Sequence, residues 1–201
     1  MTSTERHPIE DESYRIMHER VDLSMWPVGQ REVVERMVHA TADVSFAASA
    51  RIGARALSAA LGALDDGAPV VVDSAMLAAG ARRLDTVCLL DEIATAPRDS
   101  TRSAAAIALA AKRHAAGAIW VVGNAPTALA EVQALHQRGD IVPAAVIGLP
   151  VGFVGAADAK AALWAGPLAS ISITNVGERG GSAVAAAVLN ALCRLREGGP
   201  W

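Results

Sequence analysis

Short apolar runs alternate with longer alanine-rich stretches along most of this chain. Pro69–Asp73, Thr86–Leu90, Ala118–Val122, Ala144–Ile147 and Ser170–Ile173 are runs of four or five mostly apolar, often β-branched residues. They lack the strict alternation of a strand with one wet face, so they read as strands covered on both sides. Between them a helical period predicts helices at about 75–82, 102–115, 125–138, 156–165 and 181–196. The N-terminal third reads as mainly helical, near 11–20, 29–42 and 50–64. Strands joined through helices run parallel by right-handed crossovers. The predicted fold class is therefore α/β: a mainly parallel central sheet flanked by helices on both faces, preceded by a helical N-terminal segment. Ligands of such sheets bind at the C-terminal strand ends, where Asp73, Gly123 and Gly148 are expected to share one rim.

Composition narrows this picture. A chain of 201 residues suits one domain over 1–201, with 1–6 and 197–201 expected to fray. Hydrophobic residues make up 52% but aromatics only 3%, so alanine and valine build the core. The net charge of −3, with no run of Lys or Arg, argues against a nucleic-acid partner. Met1–Pro8 lacks an apolar signal region, and the longest apolar runs are interrupted before reaching membrane-spanning length. The expectation is a cytoplasmic protein with no membrane partner. Cys88 and Cys193 lie far apart without metal-site spacing and read as reduced core thiols, so no bound metal is expected.

Several glycine-rich loops precede helices. Gly148-Leu-Pro-Val-Gly152-Phe-Val-Gly155 leads into an alanine run ending at Lys160, and Gly123-Asn124-Ala125-Pro126-Thr127 follows the 118–122 strand. Thr101-Arg102-Ser103 and Gly180-Gly181-Ser182 open two more helices. Each start offers backbone N–H groups to an anion, although each also reads as an ordinary turn or capped helix. None carries a Walker lysine–serine pair or a dinucleotide fingerprint, so a ligand with several carboxylates fits them better than a nucleotide. On the 29–42 helix, Arg36, His39 and Asp43 fall on one face. Asp43 would raise the imidazole pKa and Arg36 would lower it, which makes His39 the candidate acid–base group; a plain solvated face is the competing reading.

Taken in order, His7-Pro8-Ile9-Glu10 with Ser13-Tyr14, Arg36-Met37-Val38-His39-Ala40, Thr101-Arg102-Ser103-Ala104-Ala105, Gly123 to Leu129, Gly148 to Lys160 and Gly180-Gly181-Ser182 resemble the precorrin-8X methylmutases of cobalamin biosynthesis. The likeness runs from about residue 7 to 193. It implies an isomerase that moves the methyl on carbon 11 of a tetrapyrrole ring to carbon 12, giving hydrogenobyrinate, or cobyrinate from a cobalt-containing ring. It implies no cofactor, a catalytic histidine at His39, and substrate contacts at Ser13 and Arg36. Tyr14, within the matching N-terminal motif, and the loop and helix-start residues Thr101, Arg102, Ser103, Asn124, Thr127, Gly152, Lys160, Gly181 and Ser182, read as cradles for a carboxylate-bearing ring, are also assigned to substrate binding. It further implies a homotrimer with sites near subunit interfaces, and product hand-off to a following enzyme. Asp99-Ser100 and Glu178 depart from the family pattern, which carries a glycine before Thr-Arg-Ser and often a basic residue at position 178. A non-catalytic corrinoid carrier is the alternative of a different class.

Overall fold

The computed structural model describes residues 7–198; of the residues expected to fray, 1–6 and 199–201 lie outside them, while Glu197 and Gly198 are held by their N–H groups to Cys193 O and Leu195 O. Two helices, α1 (Pro8–Arg20) and α2 (Val28–Thr41), open the chain. Next come α3 (Phe46–Ser49), β1 (Ala50–Ile52), α4 (Ala56–Asp65), β2 (Val70–Val72), α5 (Ala75–Gly80) and β3 (Thr86–Val87). The second half is α6 (Arg102–Arg113), β4 (Ile119–Val122), α7 (Pro126–Gln137), β5 (Ala145–Gly148), α8 (Ala156–Ala165), β6 (Ser172–Asn175) and α9 (Ser182–Arg196). The sheet order is β1-β6-β5-β4-β2-β3, parallel except for β1 on the edge. This is the predicted α/β class.

The period of two along the strands divides the interior into two cores. Val70, Val72, Ile119, Val121 and Ile147 face α1, α2, α4, α5 and α9, while Val71, Trp120, Val122 and Val146 face α6, α7 and α8. In α9, Val184, Val188, Leu189 and Leu192 are fully buried, each contributing about 1.5–3 kcal/mol by leaving water. That helix is the pillar along which α2 packs, and α2 carries His39.

Three sequence expectations change. The helix expected over 50–64 is α3, β1 and α4, because Ala50–Ile52 pairs antiparallel with β6, with Ala50 opposite Asn175 and Ile52 opposite Ile173. Alanine-rich composition favours helix locally, but a sheet edge needing a partner overrides it. The 86–90 strand is confined to Thr86–Val87, with a 3₁₀ turn following at Leu90–Glu92. The last strand lies two residues later than expected, since Ala169–Ile171 winds into a 3₁₀ turn. Its polar end is buried: Thr174 Oγ1 donates to Gly148 O at 2.5 Å.

Candidate active site

His39 sits in the last turn of α2, the end at which helix carbonyls favour a positive charge. Opposite it, α1 presents Ser13 and Tyr14. Ser13 Oγ lies 3.3 Å from His39 Nδ1. The Tyr14 ring stacks on the imidazole with centroids 4.6 Å apart and planes 5° from parallel. Arg36, one turn before His39, donates from Nη1 to Tyr14 Oη at 2.9 Å and lies 3.4 Å from Glu10 Oε1. Burial pushes the Tyr14 phenol up despite the guanidinium beside it, so it stays a neutral hydrogen-bonding group. Ser13, Tyr14, Arg36 and His39 thus form one cluster, as expected, with Glu10 as a member that sequence reasoning does not single out.

Beside the cluster opens a pocket of about 340 Å³. Ile9, Ile16, Met17, Val38 and Val44 make its walls largely apolar, and Ser13, His39, Glu12 and Arg20 supply polar groups. An apolar pocket with a few placed polar groups is the usual form of a small-molecule site.

Asp43 does not continue the Arg36–His39 stripe. The helix stops at Thr41 and Ala42 turns left-handed, with φ of 52°. Asp43 instead accepts hydrogen bonds from the Arg179 guanidinium and from Ser45 N. Burial tends to raise the Asp43 carboxyl, but the bonds from Ser45 and Arg179 outweigh it and hold the group below its usual range. The pair fixes the Ala42–Ser45 turn, which forms part of the pocket wall.

The glycine-rich rim is assembled as expected, but its donors already have partners. Asp73, 1% exposed, accepts from Gly123 N at 3.0 Å, Asn124 N at 2.9 Å and Ala125 N at 2.8 Å. The anion in that cradle is a side chain of the protein itself. Sequence reasoning sets Asp73 on the rim without a partner; the available signal is a lone carboxylate ending a Val-Val-Val strand beside a Gly-Asn-Ala loop.

Thr101 caps α6 and lies 2.7 Å from the Thr127 hydroxyl, with Ser103 in the same turn. Arg102 is held by Ile93 O and Leu90 O at 2.9 and 3.1 Å. Gly152 N donates to Glu178 O, Gly181 N donates to Leu149 O, and Ser182 Oγ lies 2.9 Å from Ser74 Oγ. Lys160, expected to touch substrate, is 1% exposed. Its Nζ donates to Asn175 Oδ1 at 3.1 Å and to Arg179 O at 2.5 Å. It braces the loop that carries Arg179.

Comparison with known proteins adds an independent line. The precorrin-8X methylmutase family model matches residues 8–195. A precorrin-8X methylmutase of a Sinorhizobium species is 37% identical, aligned over 92% of this chain and 93% of its own. A cobalt-precorrin-8 methylmutase of Methanothermobacter thermautotrophicus is 38% identical over 94% and 93%. The crystal structure of precorrin-8X methylmutase from Thermus thermophilus superimposes with a TM-score of 0.82 at 38% identity, covering 95% of this chain and 97% of that one.

Proposed function

The chain belongs to the precorrin-8X methylmutase family, and from that premise we propose that it catalyses the migration of a ring methyl from carbon 11 to carbon 12 of precorrin-8X or its cobalt form. It is an isomerase of cobalamin biosynthesis. His39 is the proton donor and acceptor, and the observation that carries this role is its cluster with Ser13 and Tyr14 at the mouth of an apolar pocket. The migration breaks one carbon–carbon bond and forms another within the same molecule, so a proton lent to the ring must be recovered. A serine hydroxyl beside Nδ1 both donates and accepts, so it can partner the imidazole in its charged and neutral forms. The stacked Tyr14 ring fixes the imidazole plane, so both transfers occur at one position. No leaving group departs, and orientation of the bound ring supplies much of the acceleration.

Ser13, Arg36 and the rim residues Thr101, Asn124, Thr127, Gly152 and Ser182 bound the substrate in this reading. Arg36 acts on His39 through Tyr14. Phe153 and Val154, 91% and 89% exposed at the loop tip, support subunit contacts of the kind a trimer would make. None of the described helices is long and apolar enough to cross a membrane.

The test is anaerobic mixing with precorrin-8X while the absorption spectrum is recorded. Wild type converts the chromophore, and His39→Ala binds it but slows conversion by at least about 100-fold. Wild-type turnover by that variant would sink the role of His39. Tight binding without conversion by wild type would identify a carrier instead.

A further inference from the structure

A second concavity lies across α2 from the His39 pocket. It is a cleft of about 550 Å³ between α2, the end of α5 with the turn after it, and α9. Arg36, Arg82, Arg83 and Arg194 line it together with Asn190, over a floor of glycine and alanine. Among the described residues lining it there is no carboxylate. Small residues pack closely at the floor: a Cβ on Gly80 would lie 2.7 Å from Ala186 Cβ. Asn190 Nδ2 donates to Gly80 O at 2.8 Å and pins the end of α5, from which Arg82 and Arg83 follow.

Four guanidinium groups in one cleft are unexpected in a chain of net charge −3. Glu10 lies 3.4 Å from Arg36, and Glu197 accepts from Arg83 at 2.5 Å on the exposed outer side. Burial, then the charges of Arg36 and Arg83, hold the Arg194 guanidinium below its ordinary value. Like charges gathered in a cleft repel one another and draw an anion. Arginine forks match carboxylates in a two-point geometry.

The position says which anion. Ala40, the residue after His39, lines this cleft. Arg36 joins it to the Tyr14–His39 stack through the phenol oxygen. Ala40 is exposed beside His39, so a ring seated at His39 and extending over Ala40 would bring acidic arms to the arginines. The rim offers less to those arms, since the Gly123–Ala125 amides are on Asp73, Arg102 is on two carbonyls and Lys160 is buried.

We infer that this arginine cleft is the subsite for peripheral carboxylates of the tetrapyrrole, with Arg82, Arg83 and Arg194 setting affinity for the ionised ring. The inference rests on the function proposed above. Two variants test it: Arg82→Gln/Arg83→Gln, which removes charge, and Ala183→Glu, which adds a competing carboxylate from the first turn of α9. Ala183 is exposed and lines the cleft, and an acid in a first helical turn does not weaken the helix. With precorrin-8X, each variant should raise KM about tenfold while kcat stays within about threefold, the mark of lost uniform binding. The double variant should also lose much of the salt dependence of KM. Wild-type KM in Ala183→Glu, or a fall in kcat at unchanged KM, would overturn the subsite. If wild type fails to convert precorrin-8X, the proposed function falls. Titration of the ring absorbance then still reads the cleft, and equal Kd for wild type and Ala183→Glu would overturn it.

Discussion

Asp73 offers the sharpest test of how the rim is held. Its carboxylate accepts three successive amides, of which Gly123 N is fully buried and Asn124 N and Ala125 N are partly so. Asp73→Ala leaves all three donors without acceptors. A buried unsatisfied donor costs about 1–3 kcal/mol, with the two partly buried amides at the low end because water can reach them. The gross loss is then about 4–5 kcal/mol. Part of it is returned, because burial pushes the Asp73 carboxyl up against the pull of the three amides; the ionised group is itself costly to bury. The expected net destabilisation is about 3 kcal/mol. Asp73→Asn keeps the shape and one oxygen, which can serve Asn124 and Ala125, but turns an amide NH₂ toward Gly123 N–H. It should cost about 2 kcal/mol, or about 4–8 °C in Tm for a chain of this size. Urea unfolding followed by circular dichroism gives the global value, and hydrogen exchange at residues 123–125 gives the local one. A melting temperature of Asp73→Asn within 1 °C of wild type, with unchanged exchange at those amides, would refute the claim that Asp73 organises the loop.

Three further outcomes follow from burial and backbone packing elsewhere in the fold. Burial lowers the Lys160 ammonium to about 8 from its ordinary 10.5. Below pH 8 the ammonium is charged in both folded and unfolded chains and the fold bears the full cost. Between 8 and 10.5 only the unfolded chain keeps the proton, so the Lys160 contribution to stability rises with pH, by up to about 3 kcal/mol. Urea midpoints of wild type should therefore gain on those of Lys160→Met across that window; parallel pH profiles would contradict the assignment. Gly180→Ala should destabilise by at least about 2 kcal/mol, since its Cβ would lie 2.3 Å from Leu149 O and 2.5 Å from Pro150 O. Gly62→Ala, inside α4 with open space around it, should stabilise by about 0.5–1 kcal/mol; the reverse order of the two melting temperatures would refute both.

The parts legible in the sequence are those fixed by short-range pattern. The β-branched runs of β2, β4 and β5 and the helices entered from Gly155 and Gly181 stand within a residue or two of expectation. His39 and Arg36 are legible through helical spacing, and Ser13 and Tyr14 through resemblance. Other features depend on distant partners and leave little local trace. β1 is a strand only because β6 needs an edge partner. Asp43 leaves the helix at a left-handed alanine that no composition rule announces. The arginine cleft draws on α2, the turn after α5 and α9, and no local window contains more than the Arg82–Arg83 pair.

A glycine-rich loop says only that something approaches the backbone closely; the identity of that neighbour decides what the loop does. Here the neighbours at two key positions are protein. A Cβ on Gly123 would meet Ala185 Cβ at 2.8 Å and Ser182 Cα at 2.9 Å, and one on Gly180 would strike the Leu149 and Pro150 carbonyls. The amides freed by such turns are drawn inward to Asp73, Leu149 O and their neighbours. The rim is thereby made a stiff frame that bounds the substrate in the proposed function, while the charged arms of the ring fall to side chains that stand clear of it. That division suits the chemistry. A methyl shift between adjacent carbons creates little charge for a backbone cradle to stabilise, but it demands one orientation of a large ring against one imidazole. In the proposed function, a stacked, serine-bonded histidine and a set of arginines at the ring's periphery would meet that demand with the fewest moving parts.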